Sequence, residues 1–168
     1  MRMRGLIMVA AVIAIRCTPL QIAGGGEWSH GDVRPRGEAR LGYVEVISSD
    51  VRTHEAVWLG ATGTLALTTR GAEALIGPEL ELSRGRGVRT PHPSVDVLYV
   101  RPEVGWAIWR RDSGLSFTGA SFGMIHDLGS IPITAALRVG DDLRGSRSGF
   151  LVGVTLGIVV GSSLYWMQ

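Results

Sequence analysis

Apolar residues alternate with small or polar ones along most of the chain, and beyond about residue 38 no helical stripe interrupts them. The longest case is GFLVGVTLGIVVG, where Phe150, Val152, Val154, Leu156, Ile158 and Val160 share one face. Gly149, Gly153, Thr155, Gly157 and Gly161 hold most of the other. A period of two specifies a pleated strand, here with one greasy and one nearly bare side. The contrast recurs where Val57, Leu59, Ala61, Leu65 and Leu67 oppose Trp58, Gly60, Thr62, Thr64 and Thr68. Leu80 and Leu82 oppose Glu79, Glu81 and Ser83. Leu98, Val100, Val104, Trp106 and Ile108 oppose Tyr99, Arg101, Glu103 and Gly105. Ile131, Ile133, Ala135, Leu137 and Val139 oppose Thr134, Ala136 and Arg138.

Two segments break step. In LSFTGASFGM the apolar face begins on Leu115 and Phe117 and ends on Phe122 and Met124, which predicts a bulge near 119–121. In ARLGYVEVISS, Val44 and Val46 oppose Leu41, Tyr43, Glu45 and Ile47, so the strand is evident and its orientation is not. Seven strands are expected, over about 39–49, 54–68, 72–84, 94–110, 114–126, 130–140 and 148–161. They are joined by short polar connections rich in Gly, Arg, Asp and Ser, with no room for helical crossovers. The order is an antiparallel up-and-down meander. Closure as a bacterial barrel wants an even number, and the eighth strand is sought either at 162–167 or around Trp28–Arg36.

The direction of the two faces decides the class. A soluble sandwich or barrel turns its apolar face inward and shows charge to water. Here the other face is largely Gly, Ala, Thr and Ser, which suits the interior of a narrow barrel with its apolar side chains in lipid. On that reading Val152, Val154, Leu156 and Ile158 face lipid, and Trp106, Trp109, Tyr165 and Trp166 lie near strand ends, where interfacial aromatics belong.

Residues 1–23 read as a cleaved signal peptide: Arg2 and Arg4 precede an apolar run from Gly5 to Ile15, too short for a membrane helix. Residues 24–37 then form an N-terminal polar segment and 38–168 the barrel. All 17 basic residues are arginine, and removal of the leader leaves 14 of them against 15 acids. No basic face remains to support nucleic-acid binding. The single cysteine, Cys17, leaves with the leader, so no disulfide, thiol nucleophile or zinc site is expected.

Leader, meander and last strand together resemble the small, eight-stranded outer-membrane β-barrel proteins of Gram-negative bacteria. Leu156, Ile158, Val160, Leu164 and Trp166 fit that family's alternating C-terminal strand, while Ser162 interrupts the series and Met167 and Gln168 extend past the aromatic. The resemblance implies a monomeric transmembrane barrel in the outer membrane, with outer-membrane lipids, including lipopolysaccharide, as partners. It implies a structural or surface-interaction role in the cell envelope, without cofactor or catalysis. Two alternatives stand beside it: a soluble exported β-sandwich or barrel, periplasmic or secreted, that binds a small or apolar ligand, and a lipid-modifying barrel enzyme.

The polar residues expected to point inward are Glu79, Glu81, Arg101, Glu103 and Arg138, with Tyr99 beside them and Glu45 a further candidate. Charges confined in a lumen need partners, so these residues are expected to form a salt-bridge network that plugs the barrel. Arg101 and Arg138 are its expected cations, with Glu81 or Glu103 as the partner of Arg101. His126, Asp127 and Ser130 invite a hydrolase reading, but position 128, where such barrel enzymes place serine, is leucine. A polar turn is the simpler expectation. His30 with Asp32, His54 with Glu55, and His92 are too scattered for a metal site. Arg84, Arg86 and Arg89 fall in a loop that could meet lipopolysaccharide phosphates.

Overall fold

A computed structural model describes residues 15–50, 55–86, 94–108, 114–127, 131–144 and 148–160. Alternation becomes eight strands: β1 (Ile15–Ser29), β2 (Asp32–Asp50), β3 (Glu55–Thr68), β4 (Gly71–Arg86), β5 (Ser94–Ala107), β6 (Leu115–Asp127), β7 (Pro132–Asp142) and β8 (Gly149–Val160). Each pairs antiparallel with its neighbour in sequence, and β1 pairs with β8, so the sheet closes as an up-and-down barrel. Closure removes every sheet edge.

The eighth strand is the N-terminal one, which corrects the expected domain boundaries. Residues 24–37 are not a separate polar segment: they finish β1, make its turn and begin β2. His30 and Gly31 take φ of 52° and 84°, the left-handed pair that a tight two-residue hairpin turn requires. Residues 15–23 also belong to β1, where Gln21 pairs with Arg40 and Ala23 with Glu38. Cleavage near Ala23 would fall inside this strand. The C-terminal candidate at 162–167, with Tyr165 and Trp166, lies outside the described residues, as does Trp109.

Register fixes the barrel's shape. From Glu45 on β2 the cross-strand partners run through Leu59, Leu80, Val100, Phe122, Leu137, Val154 and Gly26, and return to β2 at Pro35. The path comes back ten residues away, a shear that tilts the strands by roughly 40°. At about 3.3 Å per residue and that tilt, the outward series Phe150 to Val160 spans roughly 25 Å along the axis, the height of a lipid-facing band.

Outward residues are apolar all the way round. Ile22, Leu41, Leu65, Ile76, Leu98, Phe122, Leu137 and Val154 come one from each strand, and each is exposed. Leu156 and Ile158 are exposed with them, and Val152, on the same face, is half-buried. The β6 irregularity sits earlier than expected, between Leu115 and Phe117 rather than at 119–121, opposite Gly105 and Trp106. It turns both Ser116 and Phe117 inward, fully buried. Glu45 points outward and Val44 inward, which settles the orientation of β2 and removes Glu45 from the lumen.

Candidate functional site in the charged lumen

The inner faces carry far more charge than the sequence reading assigned. Glu79, Glu81, Arg101, Glu103 and Arg138 are all buried inside the barrel. They are joined there by Glu27, Glu73 and Asp142, by Arg34, Arg36 and Arg40, and by the nearly buried Glu38. Arg101 and Arg138 are therefore not the only inward arginines. The signal for the rest was present in DVRPRGEAR, where Arg34, Arg36, Glu38 and Arg40 occupy every second position. Alternating charge marks a strand face as surely as alternating apolar residues do, once the face is known to be inside.

At the end formed by the tight turns, Asp142 accepts hydrogen bonds from Ser29 Oγ (2.7 Å) and Arg144 Nε (2.7 Å). It also pairs with Arg34 at 3.5 Å and Arg70 at 3.8 Å. Arg144, just past β7, also reaches Glu27 at 2.8 Å. Burial works against its charge, but the Asp142 hydrogen bonds and the Glu27 carboxylate prevail and hold its pKa above the usual arginine value.

One layer deeper, Glu73 accepts from Arg36 (3.1 Å), Arg138 (3.3 Å) and Ser116 (2.5 Å). Glu38 accepts from Arg36 (3.1 Å), Arg40 (3.2 Å) and Thr155 Oγ1 (3.2 Å). Arg101, with no exposed surface, donates to Glu79 and to Glu103 (3.2 Å), and Ser121 donates to Glu103 as well. The carboxylate paired with Arg101 besides Glu103 is thus Glu79 and not Glu81, which lies across the strand pair from Tyr99.

Two aromatic rings organise these cations. Arg40 and Arg101 approach the Tyr99 ring at 5.2 and 5.0 Å, and Arg40 also donates to the Tyr99 hydroxyl (2.7 Å) and to Gln21 Oε1 (3.0 Å). Arg138 stacks over Phe117 at 3.5 Å. Both are cation–π contacts in a desolvated interior, where they are strongest. The bare positions make room for the rings: a Cβ on Gly123 would stand 2.2 Å from the Tyr99 ring, and one on Gly119 2.6 Å from the Phe117 ring. Gly123→Ala is accordingly expected to displace Tyr99 and lower the unfolding midpoint, whereas Gly63→Ala, on the open outer face, should not. Comparing the two denaturation curves in detergent checks this.

Toward the end where β1 begins and β8 stops, the lumen becomes apolar. Val97, Tyr99, Ile125 and Val159 form a buried cluster, and Val44 and Trp58 also point inward. Among the described residues, charge thus lines the interior from the turn end to its middle, and the inward side chains nearer the other end are mostly apolar, with Glu81 among them.

Of the hydrolase candidates, the described residues include His126 and Asp127. His126 lies on the outer face of β6, and its Nδ1 is 2.5 Å from Asp96 Oδ1 across the sheet. Ser130 lies outside the described residues. Arg84 and Arg86 lie within β4 rather than in a loop, and Arg84 pairs with Glu55 at 3.4 Å. Arg89 is outside the described residues.

No protein-family model and no curated protein matches this sequence. Among solved structures, the chain is similar to the crystal structure of Neisserial surface protein A, with a TM-score of 0.51 and 8% sequence identity. The match covers 86% of this chain and 95% of the neisserial one. At that identity the likeness concerns the fold, and it supports the small closed-barrel type that the register displays.

Proposed function

We propose that this chain is a small outer-membrane β-barrel protein with a structural or surface-interaction role in the envelope, exported by an N-terminal signal peptide and functioning as a monomer. The observation that carries this reading is the continuous ring of exposed large apolar side chains around a closed sheet. A surface of that extent is a liability in water and an asset in lipid. A soluble barrel for a small or apolar ligand needs the reverse arrangement, and here arginines and carboxylates occupy the interior.

The lumen network is read as a plug. Two observations support this: each buried guanidinium meets at least one carboxylate, and an apolar cluster around Tyr99 lies on the side opposite the charged mouth. A solute would have to break several buried ion pairs to pass, and separating one such pair already costs several kcal/mol, roughly 3–5. No catalytic role is assigned to the network, because its ionised groups serve one another.

The mature protein is expected to fractionate with the outer membrane and to migrate differently on gels with and without boiling. Planar bilayers containing it should show no steady conductance. Recovery from the periplasm without detergent would overturn the membrane reading, and a stable ion current would replace the plug by a pore.

A further inference from the structure

Outside the lumen, one part of the barrel surface gathers polar groups around an apolar hollow. Asp50, Glu55, Arg84, Asp96 and His126 are successive cross-strand partners on the outer face of β2 to β6. Each lies within two residues of its strand's end, on the side where β1 begins and β8 stops. Immediately inboard, Val57, Leu82, Leu98 and Met124 point outward. The two sets line a hollow of about 790 Å³, within the roughly 300–1,000 Å³ of small-molecule sites.

We propose that this hollow seats one membrane lipid whose head carries both a phosphate and an ammonium group. The acyl chain would lie over Leu82, Leu98 and Met124, the phosphate on Arg84 and the ammonium beside Glu55. This rests on reading the outer belt as lipid-facing, because the floor is continuous with that belt and a chain can enter sideways from the bilayer. The rim stands at the strand ends, where the apolar band gives way to headgroups.

Charge selects the head. The Arg84 side chain is 73% exposed, and its carboxylate contact is with Glu55 at 3.4 Å, so much of the planar fork still faces outward. That fork matches a phosphate in two-point contact. The neighbouring Glu55, itself half exposed, repels a purely anionic head and attracts an ammonium. Asp96 is engaged by the His126 ring, and Glu55 is the rim acid in contact with Arg84.

The test is native mass spectrometry of the full chain purified from membranes in mild detergent, titrated with phosphatidylethanolamine or phosphatidylglycerol. One phosphatidylethanolamine should be retained per barrel, with phosphatidylglycerol held several-fold more weakly. Arg84→Ala should weaken retention roughly tenfold, the loss of one charge-assisted contact. Met124→Trp should fill the hollow and abolish retention, and Leu137→Trp, outward but away from the hollow, should leave it unchanged. Equal retention of both lipids by wild type and Arg84→Ala, or undiminished retention by Met124→Trp, overturns the proposal. A barrel that purifies from membranes and holds no lipid overturns the site and leaves the membrane reading standing. Recovery without detergent overturns both.

Discussion

Replacing Arg101 by alanine is expected to destabilise the barrel by about 3–5 kcal/mol, the cost of removing one partner from a buried ion pair. The guanidinium has no exposed surface, and it stands between Glu79, also without exposed surface, and Glu103, which is 3% exposed. Its loss leaves two carboxylates in an interior that water reaches poorly, and removes one of the two cations on the Tyr99 ring among the described residues. Arg101→Ala combined with Glu79→Gln should recover part of the loss, because the second change removes a stranded charge. The same cycle with Glu81→Gln should recover little. Urea unfolding in detergent micelles provides the readout, and a loss below about 1 kcal/mol, the range of exposed pairs, would show that the network is solvated.

The second large effect belongs to the outer face. Leu156 is 65% exposed near the middle of β8's outward series, and Leu156→Arg should cost roughly 2–4 kcal/mol if that position meets the hydrocarbon midplane. One residue away, Thr155 faces the lumen and donates to Glu38 at 3.2 Å. Thr155→Ser keeps that hydroxyl and should change stability little. The asymmetry between neighbours on one strand is the measurement, made by equilibrium refolding into lipid vesicles. If Leu156→Arg folds as well as wild type, the outward face does not meet lipid.

Seven of the eight strands were legible because one property, the side to which each residue points, repeats within a few residues. Phe150 to Val160 shows it with apolar residues, and Glu79 to Ser83 with charge set against leucine. β1 escaped because Gly24, Gly25 and Gly26 have no side chains with which to show a pattern. At Gly25 the reason is tertiary: a Cβ there would come within 1.9 Å of the Val154 carbonyl oxygen of β8, at the seam where the barrel closes. Alternation puts Phe117 on the face of Leu115, and the irregularity that turns it inward lies in the pairing of β5 with β6.

The lumen shows the same division. The sequence alone put Glu79, Glu81, Arg101, Glu103 and Arg138 on the strand faces opposite the large apolar residues, since the pleat is a local consequence of extended backbone. Which of them meet depends on register and shear. These set Glu79 rather than Glu81 against Arg101, carry Arg36 to Glu73 at 3.1 Å over 37 residues of chain, and bring Ser29 to Asp142 at 2.7 Å over 113. A shift of register leaves the composition of each strand unchanged and alters every cross-strand partner. Alternation therefore determined what the inside and the outside are made of, and strand register together with the closure of β1 on β8 decided which charges pair, because partners such as Ser29 and Asp142 come from strands far apart in sequence.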